Sequence, residues 1–589
     1  MFWKEVKKSR KLNAKRAPVV STKPSADDFV KFYRTLFSHD DRPSNASHDK
    51  IASEVKDFAK STESENCSLS FSKEMIDEAL DFLKPGKAAG YGGFSNEFFV
   101  MGRSCVLTDL FYSMFNLMLS SGLVPDKFNT SVLIPIPKGN KLSMPSDYRP
   151  ISISTPLCTL FELLIRKSMP FLEYLHPYQF GNKKETSCKS AYFVVNETLN
   201  HYKDSNSNCH AVSLDAAKAF DKLWRDGLFF KLIPWTEPGI WRLLYRYYNE
   251  SFVMVILDDF KSDVFKISEG VKQGGILSSF LFNFFMDGLL EKLLKLKVGT
   301  ILGKINTSVI AYCDDIILLA ALSSHMQFLL DNCLEYANDW KLSFNPSKSH
   351  SFSLKPGGCA LSLDGSLFPK SDGFVYLGLP VGNMKFVEKF YSNRMSKCER
   401  ALYSLKSIGC SPQKLHPYAI AFIFKQFCQS IFKFGLEFVY LRKTFLNSLN
   451  IRQNLLLKNI LGIRHKARFK PLLNELCVEQ INLVYAKHKI FGWKQCMKNQ
   501  MTSSIYSFLL SCKSQVKNNF SFTKQLADVV GDKILTARSV CSIVVDVESE
   551  YVCNDVTMRE QIISTLKEFH SAGPFACIVK LNSILKILY

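Results

Sequence analysis

The chain has 589 residues, 47% hydrophobic and 13% aromatic, enough to bury several cores and too apolar for an extended disordered polymer. Lys and Arg outnumber Asp and Glu by 75 to 54, and the formal charge of +21 favours a polyanionic partner, although a basic protein without one carries the same charge. Seventeen cysteines lie singly, as at Cys158, Cys333 and Cys428, with no C-x-x-C pair or zinc-ligand spacing, the pattern of reduced buried thiols in an intracellular protein.

The first residues, Met1 to Lys8, are charged at once and hold no apolar signal region. Lys4, Lys7, Lys8, Arg10, Lys11, Lys15 and Arg16 face only Glu5. That suits a nucleic-acid arm, a nuclear address or a plain solvated tail. Residues 40–70 are rich in Ser, Asp, Asn and Lys and read as a linker, so residues 1–70 form a basic arm and linker. From Phe71, the spacing of Met75, Ile76, Ala79, Leu80 and Leu83 predicts a helix that stops at Pro85-Gly86. A second helix is predicted over Val106–Leu119, and the run Ser131–Pro137 is β-prone. Between about 210 and 382, β-prone runs alternate with helical ones, which predicts a sheet with helices on one face. Past residue 390 strand patterns stop, and Arg394–Ile463 reads as successive amphipathic helices with basic polar sides. No run reaches the ~18 uninterrupted apolar residues of a membrane span. Even the stretch Ile420–Leu441 carries Lys425, Lys433 and Glu437.

Two segments place acids where chemistry is conceivable. Ala211-Val-Ser-Leu-Asp215 is an apolar strand ending in an acid, followed by a turn and a helix. In Ser308-Val-Ile-Ala-Tyr312-Cys313-Asp314-Asp315-Ile-Ile-Leu-Leu-Ala320, two apolar strands flank a bare Asp-Asp, the layout of a tight hairpin. Taken alone, Asp-Asp also suits an ordinary polar turn. Paired as neighbours, the two segments would gather three carboxylates at one end of a buried sheet. Such a cluster repels itself unless cations sit there, and hard oxygen ligands suit Mg²⁺. Two such ions would clamp the attacking and leaving oxygens of a phosphoryl displacement.

These segments, and others in the same order, resemble the reverse transcriptases of LINE-type (non-LTR) retrotransposons from about Phe71 to Gly382. Lys84-Pro-Gly-Lys87-Ala-Ala-Gly-Tyr-Gly92-Gly93-Phe-Ser-Asn-Glu97 resembles the fingers motif of that branch, with Gly92 where the family has Asp. Ile134-Pro-Ile-Pro-Lys138 with Asp147-Tyr-Arg149-Pro-Ile-Ser152, and Gln179-Phe-Gly181 with Ser187 and Ala191, are similar to the next fingers blocks. Asp215…Ala219-Phe220-Asp221 and Tyr312-Cys-Asp314-Asp315 match the two palm motifs. Gly270-Val-Lys-Gln273-Gly274-Gly-Ile-Leu-Ser278-Ser279 is similar to G-V-x-Q-G-x-x-L-S-P, and Ser279 in place of Pro is expected to loosen that loop. Trp340…Leu342…Asn345-Pro346…Lys348 and Val375-Tyr376-Leu377-Gly378 resemble the following motif and the primer grip. Group II intron enzymes are the nearest competing family.

The resemblance implies an α+β right-hand polymerase fold: fingers, a palm with an antiparallel sheet, a helical thumb and a helical C-terminal region. It implies fingers over 71–205, a reverse transcriptase domain of fingers and palm over 118–384, a thumb over 385–490 and a C-terminal region of unassigned role over 491–589. The partners it implies are an RNA template, a DNA primer or target and dNTPs, with no membrane; it sets no oligomeric state, and the use of chromosomal DNA implies work in the nucleus. By carry-over Asp215 and Asp314 hold two Mg²⁺ ions, with Mn²⁺ able to replace them, and Asp315 supports the primer-side ion. Arg149, whose planar fork can grip phosphate, and Lys138 clamp the triphosphate. Phe220 excludes a 2′-hydroxyl, Gln273 and Gly274 border the nascent pair, Lys348 protonates the leaving pyrophosphate, and Tyr376, Leu377 and Gly378 form the primer grip. Lys138 and Lys348 also suit plain loop lysines, and Phe220 a core ring.

Asp221, within the same palm motif, is expected as a helix-start acid rather than a metal ligand. Arg464-His-Lys466-Ala-Arg468-Phe-Lys470 suits a nucleic-acid backbone or a solvated helical face. Nothing before Phe71 is long enough for the endonuclease that usually precedes such a polymerase, and no Cys/His spacing fits a zinc knuckle, so both are expected to be lacking. Two rival readings share these motifs: a catalytically inactive nucleic-acid-binding remnant, and a viral RNA-dependent RNA polymerase, against which Tyr312-Cys-Asp-Asp and Phe220 argue.

Overall fold

A computed structural model of the protein describes residues 23–37, 42–64, 67–139, 142–355, 360–369, 371–406, 409–512 and 520–530. The basic residues 4–16 and most of the expected C-terminal region lie outside them. Much of the segment expected as a linker is instead helical, over Ala46–Ser61. Helix α1 (Ala26–Phe37) buries Phe29, Tyr33, Leu36 and Phe37. Helix α2 (Ala46–Ser61) starts at Asn45, whose side chain accepts the His48 N–H while the His48 ring pairs back with the Asn45 N–H. It buries only His48 and Val55 completely, with Phe58 edge-on to Trp241 at 4.8 Å. So narrow an apolar stripe leaves a polar composition that mimics a loop.

Helix α3 (Lys73–Phe82) and helix α4 (Cys105–Ser121) follow, each started by a serine side chain, Ser72 and Ser104. Strands β1 (Asn129–Pro137) and β2 (Tyr148–Ile153) pair antiparallel, with Ile136 opposite Arg149. Helix α5 (Pro156–Ser168) is capped by the Thr155 hydroxyl, and helix α6 (Cys188–Asp204) by that of Ser187. Strand β3 (His210–Asp215), helix α7 (Arg225–Leu232) and helix α8 (Pro238–Asn249) come next. Strand β4 (Ser251–Leu257) then joins the first sheet parallel to β1, and α1 packs on this sheet through Tyr148, Val253 and Val255.

Helix α9 (Ser278–Lys295) leads to the hairpin of β5 (Val309–Tyr312) and β6 (Asp315–Ala320), helix α10 (Ser323–Asp339) and strand β7 (His350–Ser353). Ser279 stands in the first turn of α9, so the substitution expected to loosen a loop falls within regular helix. The second sheet has the order β7-β3-β6-β5, all antiparallel. It is not covered on one face only, as the alternation predicts. Ile316 and Leu318 enter one core with α9 and α10, and Ile317 and Leu319 enter another with α6 and the C-terminal helices. An uninterrupted apolar run such as Ile-Ile-Leu-Leu-Ala is the signature of a strand buried on both faces.

Strands β8 (Gly373–Tyr376) and β9 (Leu379–Gly382) form a hairpin, and no strand follows it among the described residues. Helix α11 (Met384–Lys406) is joined by helix α12 (Lys443–Leu461), helix α13 (Ile481–Lys498), helix α14 (Gln500–Ser511) and helix α15 (Phe522–Val530). Residue 490 falls inside α13, so the expected thumb and C-terminal region meet within one helix. Phe522 of α15 returns to Phe193 of α6, with ring centroids 5.7 Å apart. Among the described residues no helix is long and apolar enough to cross a membrane.

Candidate active site

Strand pairing brings the three acids together. Asp215 ends β3 directly opposite Asp315 at the start of β6, and Asp315 pairs on its other side with Tyr312. Cys313 turns the hairpin with φ +53°. A buried Gln179 holds that turn: its Oε1 accepts the Cys313 N–H at 2.8 Å and the Gly181 N–H at 2.9 Å. A Cβ on Gly181 would lie 2.3 Å from the Cys313 sulfur, so only glycine admits this approach. Behind Asp215, the Asn345 N–H donates to its carbonyl at 2.8 Å, and its own N–H donates to the Ser349 hydroxyl at 3.2 Å. The Asn-Pro-x-Lys segment thus braces β3 and brings Lys348 Nζ to 3.9 Å from Asp215 Oδ2.

The electrostatics follow from this crowding. The Asp315 carboxyl is pushed up to about 6, first by loss of water around it, then by Asp314 and Asp215, with Arg149 acting against them. Asp314 is raised for the same reasons, desolvation first. Carboxylates that resist ionising together are relieved by a hard cation on their oxygens. Among the described residues no three His, Cys, Asp or Glu side chains form a closed metal-binding group. The donors are nevertheless of the kind a divalent cation takes, on an open edge where substrate oxygens could complete a shell.

Cations and a ring surround the acids. Arg149 projects from β2, exposed and without a hydrogen bond or ion pair among the described residues, its charge felt at both Asp314 and Asp315. Lys138 donates to the Ser146 carbonyl at 2.9 Å; desolvation, then Lys348, Arg149 and Lys218, lower its pKa against the pull of Asp221. Phe220 is half-buried and stacks on Phe282, centroids 4.5 Å apart at 19°. Gln273 Nε2 donates to Asp221 Oδ1 at 2.7 Å. Gly274 has φ +121°, and a Cβ there would lie 2.6 Å from the Ser152 carbonyl oxygen.

Asp221 corrects an expectation. The helix begins four residues later at Arg225, and Asp221 lies buried in the preceding turn, where desolvation pushes its carboxyl up to about 7. Tyr376 lies in β8, fully buried, whereas Leu377 and Gly378 form the hairpin tip with φ of +49° and +75°. Arg394 of α11 donates to the Gly378 carbonyl at 2.7 Å, tying the hairpin to the helical region. Arg464, His465, Lys466, Arg468 and Lys470 are all exposed, yet on a loop and the first residue of a short helix rather than on a helical face. Buried Lys458 Nζ holds that loop through the carbonyls of His465 and Ala467.

Sequence reasoning assigned nothing to Glu162, Lys272 or Tyr247, which form a buried polar cluster beneath the Gln273 loop. A lone acid inside the apolar run Leu160-Phe-Glu-Leu-Leu-Ile165 is the signal that could have found it. The cationic face of α11 also emerges only in three dimensions. Lys385, Lys389, Lys397 and Arg400 are exposed on the arc opposite its buried Val387, Tyr391, Met395, Cys398 and Leu402. Its acids Glu388 and Glu399 are each taken by a two-pronged arginine, Arg442 at the N-cap of α12 and Arg452 within it.

Residues 136–381 match the family described as reverse transcriptase (RNA-dependent DNA polymerase). Over 241 residues the chain is 29% identical to the Retrovirus-related Pol polyprotein from type-2 retrotransposable element R2DM of Drosophila melanogaster, aligning 41% of this chain with 23% of that protein. It is 24% identical over 385 residues to the RNA-directed DNA polymerase from mobile element jockey of Drosophila melanogaster, 62% of this chain and 41% of that one. A polyprotein from the type-1 retrotransposable element R2 of Popillia japonica is 27% identical over 288 residues, 44% of this chain and 39% of that one. The chain therefore spans less than half the length of these relatives. Among solved structures it is similar to telomerase from Candida tropicalis in complex with a TWJ fragment of telomeric RNA, at 11% identity and a TM-score of 0.35, covering 71% of this chain and 64% of that one.

Proposed function

We propose that this chain, which carries a reverse transcriptase domain related to the polymerases of non-LTR retrotransposons, is an RNA-directed DNA polymerase that adds dNTPs to a primer 3′-hydroxyl on an RNA template. The observation that carries the reading is the convergence of Asp215, Asp314 and Asp315 on one sheet edge, ringed by Arg149, Lys138 and Lys348. Asp215, Asp314 and Asp315 would hold divalent ions, Mg²⁺ by preference, whose chemistry is to lower the pKa of the primer hydroxyl and to neutralise charge on the phosphates.

The protein's own groups do the rest. Arg149, without a hydrogen bond or ion pair among the described residues, grips the triphosphate through its planar fork. Phe220, held by its stack on Phe282, closes the space that a ribose 2′-hydroxyl would need. Lys348, beside Asp215, delivers a proton to the departing pyrophosphate. The Leu377-Gly378 tip holds the primer strand, fixed from behind by Arg394. The template and the growing duplex lie along the cationic face of α11 and the loop Arg464–Lys470, where phosphates displace counterions. Chromosomal DNA as primer would place this work in the nucleus.

The test is extension of a DNA primer on an RNA template, with Mg²⁺ and separate dNTP and rNTP pools, for the wild type and the Asp314→Asn, Asp315→Asn double variant. The proposal expects dNTP-dependent extension that the double variant loses by at least about a thousandfold, the scale of removing electrostatic stabilisation from a reacting centre. Template binding without extension in either protein would refute it and mark the chain as a non-catalytic nucleic-acid-binding remnant. Extension with rNTPs alone would mark an RNA-dependent RNA polymerase.

A further inference from the structure

Against the Gln273 loop lies a buried polar cluster for which the proposed chemistry has no use. Glu162 of α5 is 1% exposed, Lys272 5%, and Tyr247 of α8 is fully buried. The Tyr247 hydroxyl donates to Glu162 Oε1 at 2.8 Å and accepts from Lys272 Nζ at 3.0 Å, and that ammonium stands 3.7 Å from the same carboxylate oxygen. The other oxygen, Oε2, accepts the backbone N–H groups of Ile276 at 2.8 Å and Leu277 at 3.3 Å. Burying an ion pair is costly, and apolar residues of the same volume often stabilise a fold as well or better. A core filler would not need this arrangement.

What the cluster does hold is the segment Gly270–Leu277. On one side the segment hangs from the Glu162 carboxylate; a Cβ on Gly275 would come within 3.2 Å of Oε2. On the other side the Ser152 N–H of β2 donates to the Gln273 carbonyl at 2.7 Å, and Gly274 is pressed against the Ser152 carbonyl. At its start, the Val271 N–H donates to the Phe220 carbonyl at 2.8 Å. The segment is thus strung between the strand that bears Arg149, the turn that bears Phe220, and a buried carboxylate on a third element. Gln273 and Gly274 lie at its centre.

We infer that Glu162, braced by Lys272 and Tyr247, is a positioning residue that sets the height of Gln273 and Gly274 against the nascent base pair. This rests on the polymerase reading above. Without the Glu162 carboxylate the Ile276 and Leu277 N–H groups lose their acceptor, Lys272 is left as an uncompensated buried charge, and the segment sags away from the incoming nucleotide. The carboxylate touches neither substrate nor the reacting acids, so its effect falls on nucleotide affinity and pairing accuracy.

The experiment compares the wild type with Glu162→Ala, Glu162→Gln and the double variant Glu162→Gln, Lys272→Met. Single-nucleotide insertion kinetics are measured for correct and incorrect dNTPs, together with hydrogen exchange across residues 270–277. In Glu162→Ala the KM for the correct dNTP should rise about tenfold, the scale of one lost charge-assisted hydrogen bond, with kcat nearly unchanged and misinsertion increased. Exchange over 270–277 should quicken. The double variant keeps an amide oxygen for the two N–H groups and removes the stranded cation, so it should recover most of the KM. If Glu162→Ala does not fold, Glu162→Gln decides by the same readouts. A folded Glu162→Ala, or Glu162→Gln in its place, with wild-type KM, misinsertion and exchange overturns the inference, as does a fall in kcat alone. Should the wild type extend no primer, the polymerase reading fails, and exchange decides the brace by itself: unchanged protection of 270–277 overturns it.

Discussion

Neutralising the exposed face of α11 is the perturbation whose size the structure fixes best. Lys385 and Arg400, the outermost of the four cations, are fifteen helical steps apart, about 22 Å at 1.5 Å per residue. None of the four has an ion-pair partner among the described residues, because Arg442, at the start of the neighbouring helix, and Arg452 within it already occupy Glu388 and Glu399. Changing all four to glutamine keeps good helix formers on a solvated surface, so the stability change should stay within about 1 kcal/mol. If each cation neutralises one phosphate, binding to an RNA–DNA duplex should lose about 3.6 units of salt slope. Between about 50 and 200 mM salt the wild type would then lose roughly 150-fold more affinity than the quadruple variant. Fluorescence anisotropy with a labelled heteroduplex over that range reads the slope. Lys295→Gln serves as control, since Lys295 is already paired with Glu291 at 2.7 Å. A quadruple variant with the wild-type slope, or a control that shifts equally, would refute the reasoning.

Two further outcomes follow from local geometry. Trimming Phe220 to valine removes the stack on Phe282 at a cost of about 1–2 kcal/mol in stability and should cut discrimination against rNTPs at least about tenfold; an unchanged rNTP/dNTP ratio of kcat/KM would sink the steric role. Glu197 is fully buried, and desolvation holds its carboxyl up at about 7 although the Phe522 N–H and Asn200 bond to it. A carboxyl raised above its unfolded value contributes most at low pH, and that contribution is lost as pH rises from about 4.5 through 7. The melting temperature of the wild type should therefore fall between pH 5 and 7 relative to that of Glu197→Gln, and parallel curves in calorimetry would contradict the assignment.

How far the sequence carried depends on the range of the interaction concerned. The helix from Lys73 and the strand at Asn129 were legible because period and stop signals act within a few residues. The helix Ala46–Ser61 was not, because only His48 and Val55 are wholly buried and the rest of its composition is that of a loop. Asp221 was misplaced because a buried turn and a helix start use the same local residues. Only its packing beneath Gln273 separates them.

By itself the sequence determined that Asp215 ends one apolar strand and that Asp314 and Asp315 turn a hairpin between two others, since apolar runs and turn residues are local matters. Tertiary structure alone decided that Asp215 stands opposite Asp315, that both faces of their sheet are buried, and that Glu162 holds an N–H group 114 residues away. It also decided which charges stay free: Glu388 and Glu399 lose theirs to arginines more than fifty residues on, leaving the lysines of α11 to solvent. A residue's type fixes which partners it can take, but register and packing between distant segments fix which one it gets.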